Sequence, residues 1–240
     1  YANKPRFWNR SFTHRFALPK NALRHMVEWN LDSLRRIGIQ PSPAGRRLVL
    51  VPGAEAEAAA RTLLQESGLL ETPFIHIHPA SRWQFKCWPA ERTAELVDAL
   101  AARGERVVLT AAPSDDERRL VAEILGHMRE AVRPVDLSGR LSLKGLAALT
   151  ARAKLFIGVD SAPMHIAAAM GTPVVVLFGP SGDAEWGPWE VPHRVVSSTM
   201  HRCRPCGNDG CGGGKVSECL TTLPAAKALA AIDELLAAGG

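Results

Sequence analysis

The sequence predicts an α/β protein built on a Rossmann-like, doubly wound parallel sheet. Three observations predict it. Beyond Pro73, short apolar runs alternate with longer amphipathic stretches. Two of the apolar runs, Leu155–Val159 and Val174–Phe178, are continuous, as in strands covered on both faces. Finally, Phe156–Gly179, FIGVDSAPMHIAAAMGTPVVVLFG, reads as a whole strand–turn–helix–strand unit.

The elements follow in order. Asn21–Ile37 carries helical spacing (Leu23, Met26, Val27, Leu31, Leu34, Ile37), and Gly38 ends it. A Pro/Gly loop at Pro41–Gly45 precedes a short strand expected at Arg47–Val51 and an Ala-rich helix at Glu55–Glu66. Strands are then expected at Phe74–Ile77, Arg106–Thr110, Val132–Leu137, Leu155–Val159, Val174–Phe178 and Arg194–Ser197. The intervening helices fall at Pro89–Arg103, Ser114–Met128, Leu143–Ala153 and Ala162–Met170, and a last amphipathic helix at Pro224–Leu236. Regular alternation begins after Pro73, which sets a domain boundary near Thr72, between residues 1–72 and 73–240. The chain shows no internal repeat and no low-complexity tract.

Composition narrows the classes. With 240 residues, 46% apolar and 22% charged, the chain reads as a soluble globular protein with one good core or two small ones. No apolar run reaches the roughly 18–20 residues of a membrane span. The first thirty residues have no signal-peptide h-region. The chain opens without Met, in YANKPRFWNRSF, and the expectation is that its natural start lies upstream. Charge is uneven: residues 1–47 hold ten Lys or Arg against Glu28 and Asp32, a surplus of +8 in a chain of net +5. Such an end suits an anionic partner, or equally a solvated helix face with linker charges. There is no nucleic-acid module signature, so nucleic acid is not expected as a partner.

Within Phe156–Gly179, a strand runs straight into a helix start at Asp160-Ser161-Ala162-Pro163, with His165 in the first turn. Unpaired N–H groups and the positive end of a helix dipole then sit at the sheet's carboxyl edge, suited to a diphosphate. The same spacing also fits an ordinary βαβ unit without a ligand. Three further segments fall at strand carboxyl ends, where such folds bind ligands. His78–Pro89 offers Ser81 as a donor and Lys86 as a charge for phosphate. Thr110–Glu117 brings Glu117 within reach of ribose hydroxyls. Ser138–Ser142 offers Leu141 to an apolar base slot.

Together HPASRWQFKCWP, SGRLSL and FIGVDSAPMHIAAAMGTPVVVLFGP resemble the ADP-heptose:lipopolysaccharide heptosyltransferases, glycosyltransferase family nine. Order and spacing match across roughly Pro73–Leu220. The tail CRPCGNDGCGGGKVSECL resembles the heptosyltransferase III-like branch. The resemblance implies the two-domain GT-B fold. Residues 73–240 would be its C-terminal nucleotide-sugar domain, and 1–72 the end of the acceptor domain with the linker. It implies an inverting, metal-independent transfer of heptose from ADP-heptose to the lipopolysaccharide inner core, with no cofactor. The implied location is cytoplasmic, peripheral to the anionic surface of the inner membrane.

By the same resemblance, Ser81 and Lys86 hold the diphosphate, Glu117 the nucleoside sugar, and Leu141 lies beside adenine. Asp160, Ser161, Ala162 and His165 fall on a D-[ST]-G-x-x-H pattern around the phosphates and transferred sugar. Ala162 stands where that pattern has Gly, and Ala80 where some members have a second hydroxyl. The family's general base is an Asp near the protein's start, and no segment here matches its loop. The expectation is a donor half without that base, and the catalytic residue is unassigned. A catalytically silent nucleotide-sugar-binding module stays open as an alternative. An epimerase of the same architecture would need cleft acid/base residues that the sequence does not show. Cys203-x2-Cys206-x4-Cys211-x7-Cys219 has spacing that a structural zinc site can use, and free thiols or a redox-labile pair fit it as well.

Overall fold

A computed structural model of the chain describes residues 23–129 and 133–238, together with Ser11 and Thr13. It divides into two compact units, Tyr1–Arg46 and Arg47–Gly240. In the first, α1 (Met26–Arg36) starts at His25, whose ring nitrogen accepts the Val27 N–H at 3.2 Å. The sequence's expected start at Asn21 lies outside the described residues. Glu28 and Asp32 on this helix hold three of the stretch's cations: Arg24 and Arg35 reach both carboxylates, and Arg46 pairs with Glu28 at 2.9 Å. Part of the local positive charge is therefore neutralised in place.

The second unit is a six-stranded, all-parallel sheet in the order β3-β2-β1-β4-β5-β6. Its strands are β1 (Phe74–His78), β2 (Arg106–Leu109), β3 (Val135–Asp136), β4 (Leu155–Val159), β5 (Val174–Phe178) and β6 (His193–Ser197). The helices are α2 (Ala54–Glu66), α3 (Ala90–Ala102), α4 (Asp115–His127), α5 (Leu143–Thr150), α6 (Ala162–Met170), α7 (Asp183–Trp186), α8 (Glu218–Thr221) and α9 (Ala225–Ala237). The continuous apolar runs are explained by burial on both faces. Ile75, Ile77, Leu109, Ile157 and Val175 pack under α3, α4 and α9. On the opposite face, Phe74 and Val108 meet α2 and α5, and Phe156, Val174 and Val176 meet α6. Strand order reverses between β1 and β4, so their carboxyl ends diverge into a crevice, where doubly wound sheets bind ligands.

Two expectations need correction. Arg47–Val51 is not a strand: Val49 and Val51 are 84% and 68% exposed, and the segment joins no edge of the sheet. Its two valines fit strand propensity, but propensity without a partner strand forms no ladder. The strand expected at Val132–Leu137 is only Val135–Asp136, with residues 130–132 outside the described set. Within the unit that begins at Arg47, Ala60 and Leu64 of α2 pack with Phe74, Val108 and Leu149. Among the described residues, no helix is long and apolar enough to cross a membrane.

Gly158 in β4 lets the sheet close around the crevice. A Cβ there would stand 2.8 Å from the Phe156 ring and 3.1 Å from the His78 carbonyl. Phe156 is fully buried and packs edge-on against the His76 ring, with centroids 5.1 Å apart, so it has little room to yield. Gly158→Ala is expected to cost about 1–3 kcal/mol of unfolding free energy through overpacking. Urea titration measures it, and an unchanged midpoint would contradict this account.

Candidate functional site

The loop after β1 is held by its own residues. The Ser81 N–H donates to Cys87 Sγ at 3.3 Å, and the Cys87 thiol returns toward the Ser81 carbonyl at 3.7 Å. Burial first of all pushes the Cys87 thiol up to about 11, so it stays protonated and structural. Ser81 Oγ accepts the Trp83 N–H at 3.2 Å, starting the turn Gln84–Lys86. Phe85 is buried, and its carbonyl accepts a hydrogen bond from the Ser217 hydroxyl at 2.6 Å. The turn so anchored sends Lys86 across the crevice, where its Nζ lies 2.6 Å from Asp160 Oδ2.

Asp160 immediately follows β4 and is buried. Ser161 then sits in extended backbone as the N-cap of α6, and its hydroxyl donates back to the Val159 carbonyl at 3.3 Å without capping the helix. The first turn of α6 therefore has no side-chain cap at the crevice, and its dipole favours an anion there. Among the described non-glycine residues, positive φ occurs only at Glu190 and Lys215. Ala162 thus holds its place in ordinary backbone, and the departure from Gly causes no strain.

Glu117 lies in the first turn of α4 and is 8% exposed. Its Oε2 accepts the Ala112 N–H at 2.8 Å and stands 3.7 Å from His78 Nε2. His78 above all, helped by the Ala112 N–H and opposed by burial, holds the carboxyl below the usual carboxylate range. Behind it, Thr110 contacts both His78 Nδ1 (2.9 Å) and His76 Nε2 (2.7 Å). Burial, with a smaller contribution from neighbouring His78, holds the His76 imidazole well below its ordinary value, so it is neutral.

These pieces line one cavity of about 670 Å³ at the carboxyl ends of β1, β2 and β4. All eight residues singled out from the sequence are in its wall: Ser81, Lys86, Glu117, Leu141, Asp160, Ser161, Ala162 and His165. Ala112, Pro113, Leu141, Leu143 and Leu146 give one side an apolar lining. Sequence reasoning missed His78, Arg82 and Trp83, which also line the cavity, with the Arg82 guanidinium 5.7 Å from the Trp83 ring centroid. The signal for His78 was there: two histidines two positions apart in a strand buried on both faces must find partners.

Cys203, Cys206 and Cys211 are exposed free thiols, Cys219 is buried on α8, and burial raises its thiol. Among the described residues, no three His, Cys, Asp or Glu side chains group so as to hold a metal. The four cysteines nonetheless lie near one another, since Cys203, Cys206 and Cys211 all act electrostatically on the Cys219 thiol.

A parallel sheet of this order, with a helix start and an ammonium facing each other across its switch point, defines a Rossmann-type domain. The chain belongs to glycosyltransferase family 9 (heptosyltransferase), whose model matches residues 4–216. It is 36% identical to lipopolysaccharide heptosyltransferase 3 of Escherichia coli over 231 residues, covering 96% of this chain and 65% of that protein. The chain thus spans about two thirds of that relative's length. Among solved structures, the glycosyl transferase family 9 from Veillonella parvula DSM 2008 superposes with a TM-score of 0.80 at 24% identity, covering 96% of this chain and 65% of that one. E. coli heptosyltransferase WaaC with ADP superposes at 0.53 and 22% identity, covering 68% and 44%. The family and GT-B-type fold expected from the motifs both hold.

Proposed function

We propose that the cavity binds ADP-heptose, and that the protein passes its heptose to the lipopolysaccharide core by a single, inverting displacement. The observation that carries this reading is the Lys86–Asp160 contact, which locks the β1 loop to the start of α6 across the switch point. One diphosphate lying there meets the Lys86 ammonium, the Ser81 hydroxyl and the uncapped α6 amides together. Glu117 takes the ribose hydroxyls, the Leu141 side takes the base, and Asp160 and His165 flank the sugar. An acceptor hydroxyl gives up its proton to a general base and attacks the anomeric carbon as the bond from that carbon to the ADP oxygen breaks. Lys86 and the α6 dipole stabilise charge growing on the departing diphosphate, the role a metal takes in other transferases. WaaC, solved with ADP, supports the choice of nucleotide.

In this reading, the unit Arg47–Gly240 is the donor domain and the residues before it belong to the acceptor half. The basic stretch of residues 1–47 would face acceptor phosphates and an anionic inner-membrane surface. Isothermal titration with ADP and UDP tests the donor assignment. ADP is expected to bind at least about tenfold tighter, the discrimination of a shaped base slot. Equal affinities would overturn it.

A further inference from the structure

The geometry points to a positioning role for His78: it orients Glu117, and is itself fixed by a one-way hydrogen-bond chain through Thr110 and His76 to Thr150. This rests on the reading that Glu117 meets the ribose hydroxyls.

The direction of the chain follows from counting protons. The Thr150 hydroxyl donates to the Leu146 carbonyl at 2.7 Å, so its oxygen accepts from His76 Nδ1 at 3.0 Å. Neutral His76 has one N–H, now placed on Nδ1, and its Nε2 must accept from the Thr110 hydroxyl at 2.7 Å. The Thr110 proton is then committed to His76. Its oxygen accepts from His78 Nδ1 at 2.9 Å, so His78 carries a proton on Nδ1.

His78 is left with Nε2 as its only nitrogen toward the cavity, and Nε2 faces Glu117 Oε2. At 3.7 Å the contact is longer than a hydrogen bond and attracts Oε2 only through a proton on Nε2, because a lone pair there would repel the carboxylate. A ring flip would break the Thr110 bond. His76, His78, Thr110 and Thr150 are each at most 5% exposed, so water cannot replace a lost partner cheaply. The Ala112 and His78 contacts both fall on Oε2, which presents Oε1 to a ligand hydroxyl. His78, Thr110 and His76 thus act on the ribose through Glu117.

Titration of the full chain with ADP and with 2′,3′-dideoxy-ADP tests this. The unsubstituted protein is expected to prefer ADP by about tenfold or more, the scale of hydrogen bonds to a charged group. His78→Asn keeps a donor toward Thr110 but does not reach Glu117. Its preference should fall below about threefold, with dideoxy-ADP affinity unchanged. His78→Gln, whose longer amide reaches toward Glu117, should keep most of it. Thr110→Val should lower the ratio and Thr110→Ser restore it; this pair decides if the His78 variants do not fold. An unchanged ratio in His78→Asn and Thr110→Val overturns the inference, as does an equal loss for both nucleotides. No preference in the unsubstituted protein removes the ribose reading, and the inference with it.

Discussion

Replacing Lys86 with alanine is expected to weaken ADP binding by about 1.5–3 kcal/mol, roughly 10- to 150-fold. The loss has two sources. The ammonium that would meet the diphosphate disappears, and the buried Asp160 carboxylate is left unpaired beside an incoming anion. Adding Asp160→Asn to Lys86→Ala should therefore recover part of the affinity, because it removes the repulsion without restoring the attraction. Arg103→Ala serves as control. Its pair with Asp233 is about half exposed on both sides, a kind worth about 0–1 kcal/mol to stability, and it is remote from the cavity wall. Calorimetry reads affinity, and thermal unfolding shows whether each variant is folded. Equal losses at Lys86 and Arg103 would assign the effect to folding and remove Lys86 from the diphosphate.

Much of this site was legible because its chemistry sits at the ends of strands that the sequence marks plainly. Leu155–Val159 and Val174–Phe178 have no polar residue to blur their limits, and both match the observed strands. The Asp160–His165 turn follows from the first of them. The segment Arg47–Val51 shows the opposite case, since local β-propensity says nothing about whether a neighbouring strand exists. The packing of α2 was hidden too, because its small apolar face of Ala60 and Leu64 has no visible partner until α5 is placed. His76 and His78 lie inside FIHIH, where the sequence marks a strand but not the partners that two histidines in it would need. The strand is buried on both faces, and the partners come from Thr110 and Thr150, 34 and 74 residues away from His76. No local pattern reveals a hydrogen-bond chain assembled from β1, the end of β2 and the end of α5.

That chain gives the molecule a specific acid sensitivity. His76 is fully buried and its protonation is suppressed, chiefly by desolvation, so the unfolded chain binds a proton more readily than the folded one. Stability therefore rises with pH wherever this difference holds. The contribution is complete above the ordinary histidine value of about 6.5, and is lost as pH falls toward the depressed folded value. Unfolding free energy is expected to drop by up to about 1.4 kcal/mol per pH unit below about pH 6.5, from this residue alone. Glu117 adds a second, later loss: its carboxyl also lies below its ordinary value, but an unfolded glutamate takes up protons only near pH 4.3, about two units lower. Urea unfolding at half-unit steps from pH 8 to 3 separates the two. His76→Gln, which carries no titrating ring, should flatten the profile between pH 6.5 and 5 even if its stability at pH 8 is lower. Glu117→Gln should leave that interval sloping and change only the more acidic limb. A flat profile in the unsubstituted chain through this interval would mean that His76 takes up its proton inside the fold, and the one-way chain to His78 would lose its anchor.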